Sequence, residues 1–307
     1  MEYMFDEKVS KVKITGNVYW LQDFFNFGSQ KRISTVTDVK FVDNNRLIVA
    51  HRSAAKIYLI KINGSTYDVL DSLTLMVGGQ HHGSDDQYYH PDAITLCNNR
   101  IYMTAYRNNS CVLDIVNDKL VFIKLFKIDS FMHYHGCHHN SDMVYFGSVK
   151  CSDNNTPLTI YNTKTDKFKN LKTGTNKRIK AISSYKECLL LCMDDLGSHH
   201  QPLHNSCVML YSVDNDKLLY LDKIDINNSQ IDGMVIYNDY FLATIHCGID
   251  KCGNIIVGKI NNNKLYFTKK VPCNDFPHGI DVFNDKVAYT SYANSSIVIQ
   301  QLSNFID

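Results

Sequence analysis

Very little in this chain speaks for a partner of opposite charge. Lysine and arginine together number 32 and aspartate and glutamate 31 in 307 residues, with no block of like charge. That balance excludes the electrostatic footprint of a nucleic-acid or anionic-membrane binder. No apolar run approaches the ~20 residues that a membrane span needs. The first residues, Met1 to Lys8, carry Asp6 and Glu7 where a secretory signal would carry an apolar core, so a cytoplasmic location is expected. Prolines number 5 and tryptophan 1. No Gly-rich phosphate loop, G-x-S-x-G elbow, H-E-x-x-H motif or EF-hand loop occurs, and no segment keeps a capped helical period.

Cysteines number 10, but none form a C-x2-C pair; the closest spacings are Cys188 with Cys192 and Cys247 with Cys252. In a reducing compartment these read as small buried thiols on strands.

What is present is a repeat. Six segments begin at Asp38, Asp92, His135, Lys180, Asp232 and His278, at intervals of 43 to 54 residues. Each opens on an ionisable residue, followed by a small or β-branched one: Val39, Ala93, Gly136, Ala181, Gly233, Gly279. Nine residues after each start comes an apolar residue: Leu47, Ile101, Val144, Leu189, Phe241, Val287. A unit of this length holds one four-stranded antiparallel sheet, and six of them predict an all-β, six-bladed β-propeller. The whole chain, 1–307, reads as one such domain.

Turn chemistry supports two hairpins per unit. Asn44-Asn45, Asn98-Asn99, Ser141-Asp142, Lys186-Glu187, Asn238-Asp239 and Asn284-Asp285 mark the first; Asn63-Gly64, Asn117-Asp118, Thr165-Asp166, Asn215-Asp216 and Asn262-Asn263 mark the second. Asn and Asp tolerate positive φ and suit tight two-residue turns. The sixth unit lacks a fourth strand because the chain ends at Asp307. The stretch 8–21, with Lys8 to Thr15 as the strand and Trp20 packing beside it, is expected to complete that blade and remove two exposed sheet edges.

The blade opening Phe276-Pro277-His278-Gly279-Ile280-Asp281, with the third strands Asn294-Ser295-Ser296-Ile297-Val298-Ile299 and Asn109-Ser110-Cys111-Val112-Leu113, resembles the six-bladed NHL and SMP-30/gluconolactonase-like propellers. The resemblance spans nearly the whole chain and implies a fold shared by enzymes and binding modules. The gluconolactonase-type metal site it implies uses a Glu, two Asn and an Asp; the ring here is Asp, Asp, His, Lys, Asp, His, so that site does not carry over.

In a propeller the inner strand begins on the face where the second strand ends, so the residues sort by face. The openers would ring the axis there, joined fourteen residues on by Arg52, Tyr106, Asp194, His246 and Tyr292, with His51, Arg107 and Asp195 beside them. Two insertions, Met76 to Tyr89 and Asp194 to Ser206, fall on the same face. All histidines except His138 and His139 map to it, which marks it as the functional face.

Two functions suit such a ring. The first is an enzyme acting at the axial mouth on a small, polar, anionic, carbohydrate-like substrate. Asp92, His135, Asp232 and His278 would hold one divalent metal ion for hydrolysis of a lactone or ester. Otherwise His135 or His278, with Asp92, Asp232 and Lys180, would run acid–base lyase or isomerase chemistry. Asp38, Arg52, Tyr106, Arg107, Asp194, His246 and Tyr292 would bind the substrate. The partner is then a small molecule, not nucleic acid or membrane. The second function is a non-catalytic module that presents this upper face to a glycan or a protein.

Overall fold

The computed structural model describes residues 17–20, 25–27, 30–32, 36–52, 54–74, 91–105, 109–127, 134–149, 155–195, 205–214, 217–246, 253–273, 276–292 and 295–306. They form six four-stranded antiparallel sheets and one small hairpin, Phe25–Phe27 with Gln30–Arg32. The only helical turn among them is the 3-10 turn Leu302–Asn304. The inner strands are Val36–Phe41, Pro91–Cys97, Tyr134–Asn140, Arg178–Tyr185, Gln230–Tyr237 and Pro277–Phe283. Each touches its neighbours in turn and the sixth touches the first, so the blades close into a ring.

The turns follow from their residues. Asn98, Ser141, Lys186, Asn238 and Asn284 take positive φ at the first hairpin of blades 2 to 6. Asn117 with Asp118, and Asn262 with Asn263, take it at both turn positions of the second hairpin. Blade 1 makes a wider first turn, in which the Asp43 carboxylate accepts the Asn45 and Arg46 amides. The Asn215-Asp216 turn lies outside the described residues.

The sixth blade is closed by Asn17–Trp20, paired antiparallel to Ser296–Gln301 from Asn17 opposite Ile299 to Trp20 opposite Ser296. The closing strand therefore falls at the end of the stretch 8–21, and Trp20 is part of it rather than beside it. Lys8 to Thr15 lie outside the described residues. Each blade's inward and outward faces bury apolar rows against neighbouring blades, as where Ile48, Leu59, Ile94 and Met103 join blades 1 and 2. The seven described cysteines are free thiols, six of them buried, which fits their place on strands.

In each blade the ladder between the first two strands slips by one residue near its upper end. A bulge there swings the ring residue out of the pleat and toward the axis. The small residue that follows has its own cause. A Cβ on Gly233 would stand 2.2 Å from the His278 carbonyl oxygen, and one on Gly279 would stand 2.5 Å from the Asp38 Cα. At these two junctions the neighbouring inner strands leave no room for a β-carbon.

Candidate functional site: the axial ring

Asp92, His135, Lys180, Asp232 and His278 line one narrow cavity on the axis, and all five are buried. Asp232 is its centre. Lys180 Nζ stands 2.7 Å from Asp232 Oδ1, and Gln230 Nε2 donates to the same oxygen at 3.3 Å. His246 Nε2–H donates to Oδ2 at 2.8 Å. Burial opposes the charge of Asp232, but Lys180 and the His246 hydrogen bond outweigh it and hold the carboxyl well below its usual range.

The two ring histidines are fixed from behind. His135 Nδ1 lies 2.8 Å from the Lys180 carbonyl and His278 Nδ1 2.7 Å from the Thr37 carbonyl. A carbonyl only accepts, so each Nδ1 carries the proton and each Nε2 lone pair faces the axis. Burial, with Lys180 adding to it, pushes His135 well below the ordinary histidine range and His278 down to about 4, so both are neutral at neutral pH. Their Nε2 atoms stand 3.7 Å and 3.9 Å from Asp232 Oδ1, and the rings lie 5.1 Å apart.

The other charged residues pair around the rim. Arg52 Nη1 stands 3.1 Å from Asp92 Oδ1 across the junction of blades 1 and 2. Arg178 grips Asp194 through two bonds of 2.6 Å and 2.7 Å. The Tyr292 ring lies 5.6 Å from His278, and Phe276 stacks on His246 at 3.7 Å. His51 is buried, and its Nδ1 accepts the Ala54 amide in the turn below Arg52. Tyr106, Arg107 and nearly all of both insertions lie outside the described residues.

Two of the ring assignments change. Asp92 does not join the ligand group: the atoms close enough to share an ion belong to His135, Asp232 and His278 alone among the described residues. Asp38 is displaced by one register position. The Thr37 carbonyl receives the His278 imidazole, as the Lys180 carbonyl receives that of His135. Thr37 thus holds the ring place in blade 1, and Asp38 the place of the small residue that follows it. The Asp38 carboxylate accepts the Val39 and Ile94 amides and pairs with Lys40 one layer below. The longer turn at 42–45 explains why counting residues misplaced it.

Sequence reading missed a set of threonines. Thr104, Thr244 and Thr290, each twelve residues past a blade start, accept the amide of the small residue and donate to the next blade's ring carbonyl. Thr37 itself donates to the Pro91 carbonyl at 3.0 Å. The recurrence of threonine at that offset was the available signal.

These observations define a β-propeller whose axis is closed by its own charged residues. No protein-family model matches the chain, and no curated protein is similar to it. Solved structures do match. A chain of a Mitotic Checkpoint Complex shares 11% identity at a TM-score of 0.60, over 94% of this chain and 89% of that one. U3-55K shares 10% at 0.59, over 94% and 100%. The WD40 β-propeller domain of Doa1 shares 10% at 0.52, over 93% and 98%. At such identities the likeness is one of fold: this chain is a six-bladed propeller, similar in architecture to WD40 propellers. No helix of the described residues is long and apolar enough to cross a membrane.

Proposed function

We propose that this chain is a non-catalytic propeller that holds a protein partner on its upper face. One observation carries the reading. The axial cavity measures about 20 Å³, room for one water molecule, whereas small-molecule sites occupy roughly 300–1,000 Å³. The charged groups that suggested catalysis are engaged with one another: Lys180, Gln230 and His246 with Asp232, and Arg52 with Asp92. Such a network fixes the inner strands and leaves recognition to the connecting segments at the rim. One similar propeller is a chain of an assembly, the Mitotic Checkpoint Complex. The resemblance to NHL-type blade openings is compatible with a binding role.

A thermal-shift and turnover screen against lactones, esters and acidic sugars tests it. The reading expects no ligand-dependent rise in Tm and no product. Turnover that disappears in Asp232→Asn, a variant that keeps the shape of the side chain, would overturn it.

A second reading, metal-assisted hydrolysis or lyase chemistry, is favoured by one feature. His135, His278 and Asp232 offer two imidazole nitrogens and a carboxylate oxygen within 4.8 Å of one another. Both rings are backed by carbonyls, as metal-bound histidines usually are. The donor set fits a divalent transition ion, but the Lys180 ammonium already stands where that ion's charge would fall. Binding would require Lys180 to leave Asp232.

A further inference from the structure

The lower end of the axis, where the inner strands finish, is different in kind. A cavity of about 250 Å³ opens there, more than ten times the upper one. Its wall includes Lys40, Thr95, Ser183 and Asp281, with Phe41 and Met234 among the apolar residues. Thr95 and Ser183 are only 6% and 4% exposed, and their hydroxyls have no hydrogen-bond partner among the described residues. Neither oxygen is among the buried side-chain atoms shut away without a partner, so both hydroxyls are open to the cavity and can bond a polar guest there.

The charges give the sign of that guest. Lys40 Nζ donates to Asp38 Oδ1 at 3.1 Å and to the Ile280 carbonyl at 2.9 Å. Asp38 and the backbone thus hold its ammonium. Asp281 Oδ2 accepts the Phe41 amide at 2.8 Å, and no cation forms a salt bridge with Asp281 among the described residues. Burial keeps the Cys137 thiol protonated and holds His138 neutral, down to about 3, with its Nε2 bonded to Ser184 Oγ at 2.9 Å. His139 gives its Nε2–H to the Ser141 carbonyl at 2.6 Å. The wall itself carries one ammonium, Lys40, and one carboxylate, Asp281. Because Asp38, outside the wall, already pairs with Lys40, Asp281 is left as the wall's charge without an ion pair, beside the two hydroxyls and an apolar flank.

We propose that the lower cavity binds a protonated primary amine, its ammonium against Asp281, Thr95 and Ser183 and its alkyl stem on Phe41 and Met234. A free alkylamine and a lysine side chain of a peptide present the same group, and the cavity takes the chemistry common to both. The site is on the opposite face from the proposed partner surface, so it stands or falls independently of that reading.

Isothermal titration of the full chain with n-pentylamine, with the peptide acetyl-Gly-Lys-Gly-amide and with 1-pentanol tests the proposal. The expected result is saturable binding of at least one amine, none of the alcohol, and a loss of about tenfold or more in Asp281→Asn. Asn keeps an oxygen for the Phe41 amide, so this variant should fold; Ser183→Ala, which removes only a hydroxyl, should weaken binding by a smaller factor. Tighter binding of pentylamine identifies a free small amine as the ligand, and tighter binding of the peptide identifies a partner's lysine. Failure of both amines to bind at about 10 mM, equal binding of pentanol, or undiminished binding by folded Asp281→Asn overturns the proposal.

Discussion

Lys180 Nζ stands 2.7 Å from Asp232 Oδ1, and the two side chains are 7% and 1% exposed, so blades 4 and 5 are joined at the axis by a buried ion pair. Removing one partner of such a pair leaves a charge without compensation, at a cost of about 3–5 kcal/mol. Lys180→Met should lose stability of that order in urea denaturation. Adding Asp232→Asn should recover part of the loss, because the stranded charge goes with it. A single-variant cost below about 1 kcal/mol would show that the pair contributes little.

The same pair governs metal affinity. With Lys180 in place, the two imidazoles and Asp232 face an ammonium; without it they face only one another. Cobalt(II) titration should give a tetrahedral-type visible spectrum in Lys180→Met and none in the native chain. A native chain that binds stoichiometric cobalt would favour the metal-dependent reading instead.

Two buried groups should respond to pH with opposite sign. The folded-state pKa of His278 is about 4, below the ordinary 6.5, so between those values the unfolded chain binds the extra proton and stability rises with pH. The stability advantage of the native chain over His278→Gln should therefore shrink as pH falls through this window. Asp281 is pushed up from 3.8 to about 6 by burial, so there the folded chain binds the extra proton and stability falls as pH rises. Asp281→Asn should gain Tm relative to the native chain above pH 6 and lose that gain as the pH approaches 4. Tm profiles of the three proteins, measured side by side, check both signs.

The junctions between blades depend on small residues and threonines. Gly233→Ala forces a methyl against the His278 carbonyl, 2.2 Å away, and overpacking of this kind costs about 1–3 kcal/mol or more. Thr244→Val removes the hydroxyl that joins the Gly233 amide to the His278 carbonyl, at a comparable cost. Thr244→Ser should restore most of it. Thermal denaturation that leaves Thr244→Val at native Tm would contradict this role.

The fold was legible because it repeats. Asn and Asp at fixed offsets marked most of the turns, and the glycines and alanines after five of the six ring residues marked the close approach of inner strands. The site was legible only in part, since a repeat gives the register of a residue but not its partner. Nothing in the spacing says that Lys180 serves the next blade's carboxylate while Arg178, two residues earlier, serves Asp194 of its own blade. Asp38 was misplaced because a four-residue turn replaced a two-residue one. The lower cavity was harder to see: Lys40, Thr95, Ser183 and Asp281 each stand three residues past the ring residue of their blade, but their side chains differ, so the shared offset carried no common chemistry.

Quantitative cross-linking mass spectrometry of the full chain, in extract of the cells that make it, tests the partner-binding account most directly. Two variants accompany it: Asp232→Asn at the axis, and a Gly/Ser replacement of residues 78–86, in the segment that connects blades 1 and 2. The account predicts reproducible cross-links from the upper face to one protein, kept in Asp232→Asn and lost in the segment replacement. An absence of cross-links above the level of the replaced-segment control would contradict it, as would cross-links that survive that replacement unchanged.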